Sequence, residues 1–235
     1  MRRWLLCLLL LAGPLMGATP VSSERAERAR ERVQAALTQA LRALGTDWGA
    51  PLYLRIFKQE SALEVWVATP SGYQLLREYP ICTWSGSLGP KQREGDGQSP
   101  EGYYRVAAGQ LNPRSNYHLA FNLGYPNAFD RAHQRSGSFL MVHGNCVSIG
   151  CYAMGDANIE EIFSLMAAAL SAGQSEVPVH VFPFRYTPGW QQQHASSPWL
   201  DFWTQLEAGY QAFQAGGQPP LVRVEQGRYV VRREG

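Results

Sequence analysis

Three short apolar runs, Leu52 to Phe57, Leu63 to Val67 and Tyr73 to Tyr79, follow one another with only Lys58-Gln-Glu-Ser and Thr69-Pro-Ser-Gly as polar punctuation. β-Branched and aromatic runs joined so tightly read as antiparallel strands of a meander. Strand character resumes at Tyr103 to Val106, after the Gly-rich polar segment Ser85 to Gly102, and again at Val177 to Phe182. Helical spacing flanks these runs. Val33, Leu37, Leu41 and Leu44 recur on one face between Ser23 and Gly45, and Glu24, Glu27 and Glu31 balance the arginines, so this helix packs on the domain and not on a membrane. Ile159, Ile162, Phe163, Met166 and Leu170 mark a second helix between Asp156 and Gly173. Ser197-Pro198 opens a third, Ser as N-cap and Pro in the first turn, with Phe202, Leu206, Tyr210 and Phe213 on one face. A hairpin around Gln226-Gly227 closes an α+β chain whose central part is mostly β. Residues 107–138 are polar and lack periodicity, which predicts a lid or binding loop.

The segment Met141-Val-His-Gly-Asn-Cys-Val-Ser-Ile-Gly-Cys-Tyr152 cannot be a regular helix, and it holds the inventory of a cysteine nucleophile site. A thiol attacks as its thiolate, and an imidazole is the usual base, so His143 is the candidate activator of Cys151. Gly144 and Gly150 permit turn conformations and leave main-chain N–H groups to face a developing oxyanion. Ser148 is placed to hold the imidazole or to line the substrate. Two plainer readings stand beside this one: a Cys146 to Cys151 disulfide, and a metal held by His143, Cys146 and Cys151, which lacks a fourth ligand and matches no common zinc spacing.

The compartment bears on that choice. Residues 1–18 run from Met1-Arg-Arg through a short apolar stretch to Gly17-Ala18, the pattern of a secretory signal peptide too short for a membrane anchor, with Cys7 removed on cleavage. Cys82, Cys146 and Cys151 remain, an odd number for an oxidising compartment. Cys82 with Cys146 leaves Cys151 free, Cys146 with Cys151 does not, and the sequence leaves both open. Without Arg2 and Arg3 the 21 basic residues fall level with the 19 acidic ones, and no basic run interleaved with aromatics tracks a nucleic acid. The other histidines, His118, His133, His180 and His194, read as loop or strand residues, and Tyr117 and Tyr125 as cleft or core aromatics.

Several segments together resemble the L,D-transpeptidase (YkuD-type) catalytic domain. Ser85-Gly-Ser-Leu-Gly-Pro-Lys91 is similar to the family's early Gly-containing segment, and Gln98-Ser-Pro-Glu-Gly-Tyr-Tyr-Arg105 to its Thr-Pro-x-Gly-x-Phe signature. Val142-His-Gly144 is similar to its His-Gly, and Ser148-Ile-Gly-Cys151 to its Ser-His-Gly-Cys. The YafK-like subgroup matches further, in Gly89-Pro-Lys-Gln, Glu94-Gly-Asp-Gly, Asn122-Leu-Gly-Tyr-Pro-Asn, Asp130-Arg-Ala-His, Gly150-Cys-Tyr-Ala-Met and His180-Val-Phe-Pro-Phe-Arg185. The resemblance implies a catalytic domain over 51–184, preceded by a helical segment over 19–50 and followed by a C-terminal extension over 185–235.

It also implies an exported, periplasmic enzyme whose Cys151 attacks a peptidoglycan stem peptide beside meso-diaminopimelate to form a thioester, without metal or cofactor. His143 is then the base, Ser148 its neighbour on the turn, Gly144 and Gly150 shape the loop, and the amide of Cys151 or its neighbours is the oxyanion donor. An amine acceptor gives a transpeptidase and water gives a hydrolase; members of the subgroup also resemble amidases that release a covalently attached outer-membrane lipoprotein from diaminopimelate. The chain departs from the broad family in three places. His143 precedes Cys151 closely, Ile149 replaces a second His, and Tyr152-Ala153 replaces an apolar residue and an Arg. Arg131, Arg135 and Tyr152 are therefore the candidates for binding substrate, the arginines by charge-assisted pairing with the diaminopimelate carboxylate. A non-catalytic peptidoglycan-binding module with a Cys146 to Cys151 bridge is the more distant alternative.

Overall fold

The computed structural model describes residues 22–232, so the expected signal peptide and Cys7 lie outside the described residues. The chain enters through α1 (Glu24–Ala43), where Ser23 Oγ accepts the Ala26 N–H at 3.2 Å and Glu24, Glu27 and Arg42 complement the helix dipole. Its stripe of Ala29, Leu37 and Leu41 is buried. The meander follows as β1 (Leu52–Phe57), β2 (Ala62–Thr69) and β3 (Gly72–Pro80), paired antiparallel in sequence order. The short β4 (Thr83–Trp84) starts a second sheet, and β5 (Gly102–Ala107) returns to the first.

Residues 107–138, expected to be one irregular loop, contain β6 (Leu111–Asn112), β7 (Ala120–Asn122) and α2 (Ala128–Ala132). Elements of two to five residues are too short to leave a periodic trace, which is why the sequence pattern misses them. Asn127 caps α2 reciprocally: its side chain accepts the Asp130 N–H at 2.9 Å and Asp130 Oδ2 accepts the Asn127 N–H at 3.0 Å. Next come β8 (Met141–His143), β9 (Tyr152–Ala153), α3 (Asp156–Ser171), β10 (Glu176–Phe182), α4 (Trp190–Gln193), α5 (Leu200–Gly216) and the hairpin β11 (Leu221–Glu225) and β12 (Arg228–Arg232). The hairpin turns on Gln226 and Gly227, both with positive φ, as expected for a two-residue connection.

The larger sheet has the order β3-β2-β1-β10-β5. β1 is buried along its whole length, the mark of a central strand covered on both faces. Leu52, Leu54 and Ile56 join the cluster with α1 and α3, while Phe57 turns the other way to α5 residues such as Leu206 and Tyr210. Each such fully buried side chain contributes about 1.5–3 kcal/mol. Arg55 also faces α5, and its guanidinium meets Glu64 at 2.6 Å with both groups buried. Helix α5 begins at Leu200, three residues after the expected Ser197 cap, because Ser197 Oγ instead accepts the Trp199 N–H at 3.2 Å and closes a turn before it. No helix among the described residues is long and apolar enough to cross a membrane. The second five-stranded sheet, of shorter strands in the order β4-β9-β8-β7-β6, carries the site.

Candidate active site

β8 and β9 run parallel, with Val142 opposite Tyr152 and His143 opposite Ala153. Val142 and Tyr152 are fully buried in the core, so the pleat turns Met141, His143 and Cys151 to the other face. All three line one cavity of about 430 Å³. The register thus converts an eight-residue spacing into a shared pocket, and a one-residue slip would send the thiol into the core.

His143 Nδ1 lies 2.5 Å from the Gly144 carbonyl oxygen. A carbonyl only accepts, so the Nδ1 of the neutral ring carries the proton and Nε2 keeps its lone pair. The Tyr117 ring covers the imidazole at 4.7 Å between centroids. Burial lowers the His143 pKa against the raising effect of the Gly144 bond. Burial likewise pushes the Cys151 thiol up, opposed by the Met141 N–H, 3.4 Å from Sγ, and by the charge of Lys91. Both groups are therefore neutral at rest, an arrangement suited to proton transfer during attack and not to a preformed ion pair.

Cys82 and Cys146 form a disulfide and Cys151 is free. That pairing overturns the Cys146 to Cys151 bridge, and it also overturns the His143, Cys146 and Cys151 metal set, because a disulfide sulfur is no longer a thiolate ligand. The bridge ties the Cys146 turn to the chain just before β4. On its other side the Asn145 N–H donates to Asp156 Oδ1 at 2.7 Å, at the start of α3.

Ser148 does not touch the imidazole. Its Oγ donates to the Cys151 carbonyl at 2.8 Å, accepts the Gly150 N–H at 3.2 Å and lies 3.1 Å from Ser85 Oγ. Ser99 Oγ donates to the same carbonyl at 3.0 Å. Ser85, Ser99 and Ser148 thereby fix the backbone that presents the thiol. The two glycines also differ from expectation. The Gly144 N–H is taken by the Tyr117 and Leu119 carbonyls at 3.0 and 3.1 Å, and the Gly150 N–H by Ser148, so neither is free for an oxyanion. Gly150 is required by its φ of +134°, whereas Gly144 is required by space: a Cβ there would stand 2.6 Å from Asp156 Oδ1 and 2.8 Å from the Tyr117 carbonyl.

The cations expected to bind substrate are elsewhere. Arg135 is buried, pairs with Asp130 at 2.9 Å and stacks over Phe129 and Phe202. Arg131 donates to the Pro126 carbonyl and lines a different cavity. Tyr152 is wholly buried with its hydroxyl donating to the Pro100 carbonyl at 2.7 Å, because the strand register points it into the core. The cation that does line the Cys151 cavity is Lys91. Its Nζ contacts Asp96 Oδ1 at 2.6 Å and the Arg93 carbonyl at 2.9 Å, while the Tyr125 hydroxyl donates to the Lys91 carbonyl at 3.2 Å. Sequence reasoning missed Lys91, although it sits in the Gly89-Pro-Lys-Gln motif and Asp96 follows in the same polar turn.

The segment bearing Lys91 and Ser99 is anchored from below by Lys58. Its buried Nζ meets Glu101 at 3.0 Å and donates to the Ser87, Gly89 and Ser99 carbonyls at 2.8, 2.9 and 3.0 Å. Glu101 in turn accepts the Trp203 indole N–H at 2.8 Å, linking the site to α5. Phe139 and Ile149, 77% and 91% exposed, form an apolar rim on the cavity.

Residues 59–213 match the L,D-transpeptidase catalytic domain family, YkuD. Over 185 residues the chain is 51% identical to "Putative L,D-transpeptidase YafK" of Escherichia coli K12, covering 79% of this chain and 75% of that protein. Among solved structures it is similar to the helical cell shape determining protein Pgp2 from Campylobacter jejuni, at TM-score 0.46 and 20% identity, covering 77% of this chain and 66% of that one. It is also similar to Mycobacterium tuberculosis L,D-transpeptidase 1, at TM-score 0.33 and 16% identity, covering 58% and 64% of the two chains.

Proposed function

The chain belongs to the L,D-transpeptidase (YkuD) catalytic domain family, whose members modify peptidoglycan, and we propose that it is an exported, periplasmic enzyme acting through a Cys151 thioester. The observation that carries the reading is the His143 to Gly144 carbonyl bond, which leaves Nε2 as the basic nitrogen of a ring lining the same cavity as the free thiol. The disulfide between Cys82 and Cys146 supports an oxidising compartment.

In the proposed reaction Cys151 Sγ attacks the stem-peptide carbonyl next to meso-diaminopimelate as His143 Nε2 accepts the thiol proton. The Cys151 N–H, which donates to no protein group among the described residues, stabilises the oxyanion. The imidazolium then protonates the departing amine and a thioester remains. An incoming amine, or water, gives up its proton to His143 as it displaces the thiol. Lys91, buried and paired with Asp96 but lining the Cys151 cavity, favours the diaminopimelate carboxylate there through its charge, taking the place of Arg131 and Arg135. Ser148, Ser85 and Ser99 are positioning residues that act through the Cys151 carbonyl.

The test is to incubate the protein, with Cys151→Ala as control, with peptidoglycan bearing free tetrapeptide stems and attached lipoprotein, and to identify products by mass spectrometry. New diaminopimelate to diaminopimelate cross-links establish a transpeptidase. Loss of the lipoprotein remnant without them establishes the amidase. Identical products from the parent and the alanine variant refute a Cys151 enzyme.

A further inference from the structure

A cavity of about 510 Å³ shares no lining residue with the Cys151 pocket. It lies between β5, α2 and β11, and each of these contributes an arginine to its wall: Arg105, Arg131 and Arg223. No Asp or Glu lines it. The Arg223 side chain makes no hydrogen bond or ion pair among the described residues, the Arg131 guanidinium donates only to the Pro126 carbonyl, and the carboxylate beside Arg105 is that of Glu176 at 3.8 Å. Three arginines brought by separate segments to the wall of one concavity, with no carboxylate among its lining residues, give it the charge that favours an anion.

The floor is rigid and polar. Tyr229 is buried, and its hydroxyl and the Tyr103 carbonyl are both held by Asn127 Nδ2 at 2.9 Å. Arginine forks arranged over such a floor match the planar geometry of carboxylates and the tetrahedral geometry of phosphates.

We propose that this cavity is a second binding site, for a ligand carrying more than one oxyanion group. Taking the function proposed above, its occupant is a peptidoglycan stem peptide, bound through its carboxylates on a strand other than the one reacting at Cys151. The site then acts as an anchor that holds the enzyme on its polymer between turnovers.

The experiment titrates the full chain carrying Cys151→Ala with a soluble diaminopimelate-containing tetrapeptide and, separately, with inorganic phosphate, by calorimetry. The same titrations are run on Arg105→Gln/Arg131→Gln/Arg223→Gln in that background and on Arg223→Gln alone, with thermal melting to confirm the folded state. Two tetrapeptide events are expected in the parent. One of them should weaken on the order of tenfold or more in the triple variant, as expected for lost charge-assisted hydrogen bonds. The exposed hairpin position Arg223 should show a smaller loss in the same event, and added salt should weaken it further. Tetrapeptide binding that is unchanged by the arginine substitutions would overturn the second site while leaving the Cys151 reading intact. Arginine-dependent phosphate binding with no tetrapeptide binding at all would overturn the stem peptide as occupant and the proposed function with it.

Discussion

Lys91 Nζ stands 2.6 Å from Asp96 Oδ1, so the ammonium of this cavity-lining residue is held by a carboxylate that is itself fixed by three backbone N–H groups, those of Gln92, Arg93 and Gln98. Burial opposes ionisation of Asp96, yet the Lys91 contact and these backbone donors hold its pKa at about 2. Lys91→Met should therefore raise KM for a stem peptide by about 10- to 100-fold with little change in kcat. The same variant should lose the parent's preference for a free over an amidated diaminopimelate carboxylate. Retained preference, measured by steady-state kinetics on the two substrates, would remove Lys91 from substrate recognition.

The thiol and the imidazole act as one unit in the proposed reaction. His143→Asn should lower the acylation rate by about 10²- to 10⁴-fold, and Cys151→Ala should abolish it, with both variants folded as the parent. Intact-mass detection of the acyl-enzyme reads this directly. Acyl-enzyme formation at the parent rate in His143→Asn would exclude it as the base.

Alkylation of the thiol reports its resting charge. Burial raises the Cys151 pKa and lowers that of His143, so the pair is neutral around pH 7. The iodoacetamide reaction rate should stay low through that range and climb only as pH rises through and above the ordinary thiol value. Turnover, which needs the neutral imidazole, should persist to pH values below about 6.5. Fast alkylation below pH 7 would instead reveal a thiolate-imidazolium pair.

The Cys82 to Cys146 bridge closes a loop of 64 residues. In the chain-entropy account such a cross-link stabilises the fold by about 4 kcal/mol. Cys82→Ala/Cys146→Ala should lower the denaturation midpoint in urea accordingly. It should also slow acylation, because the bridge is one of the restraints on the turn that ends in Cys151. An unshifted midpoint would show the bridge to be energetically idle.

His180 is buried with its Nδ1 2.8 Å from the Tyr53 hydroxyl, and burial, then the charges of Arg105 and Arg55, hold its pKa well below the ordinary value. The unfolded chain takes up a proton at about 6.5 that the folded chain refuses. The stability from this group is thus complete above pH 6.5 and is lost as pH falls from there toward the folded value, by at most about 1.4 kcal/mol per pH unit. Urea unfolding across that window should show the slope, and His180→Gln should flatten it.

Much of this was legible in the chain. The meander came from apolar runs too closely spaced for anything but antiparallel pairing, and α1, α3 and the last hairpin came from periodicity and turn chemistry, all of which act over neighbouring residues. The pairing of a histidine and a cysteine between glycines singled out His143 and Cys151, and the motif order gave the family. What local signals do not carry is register and direction. Tyr152 is adjacent to the thiol in sequence but the pleat buries it, and Arg135 is close in the chain to the site yet is consumed by Asp130. Lys91 lines the cavity on a segment pinned by long-range bonds, from Lys58, 33 residues earlier, and from Tyr125. The choice of Cys82 as the partner of Cys146 was likewise made by the fold, which places their Cα atoms 5.4 Å apart across 64 residues. The sequence determined the elements and the reactive groups because those depend on short-range chemistry; the tertiary structure decided which groups share a cavity, because that depends on contacts between segments far apart in the chain.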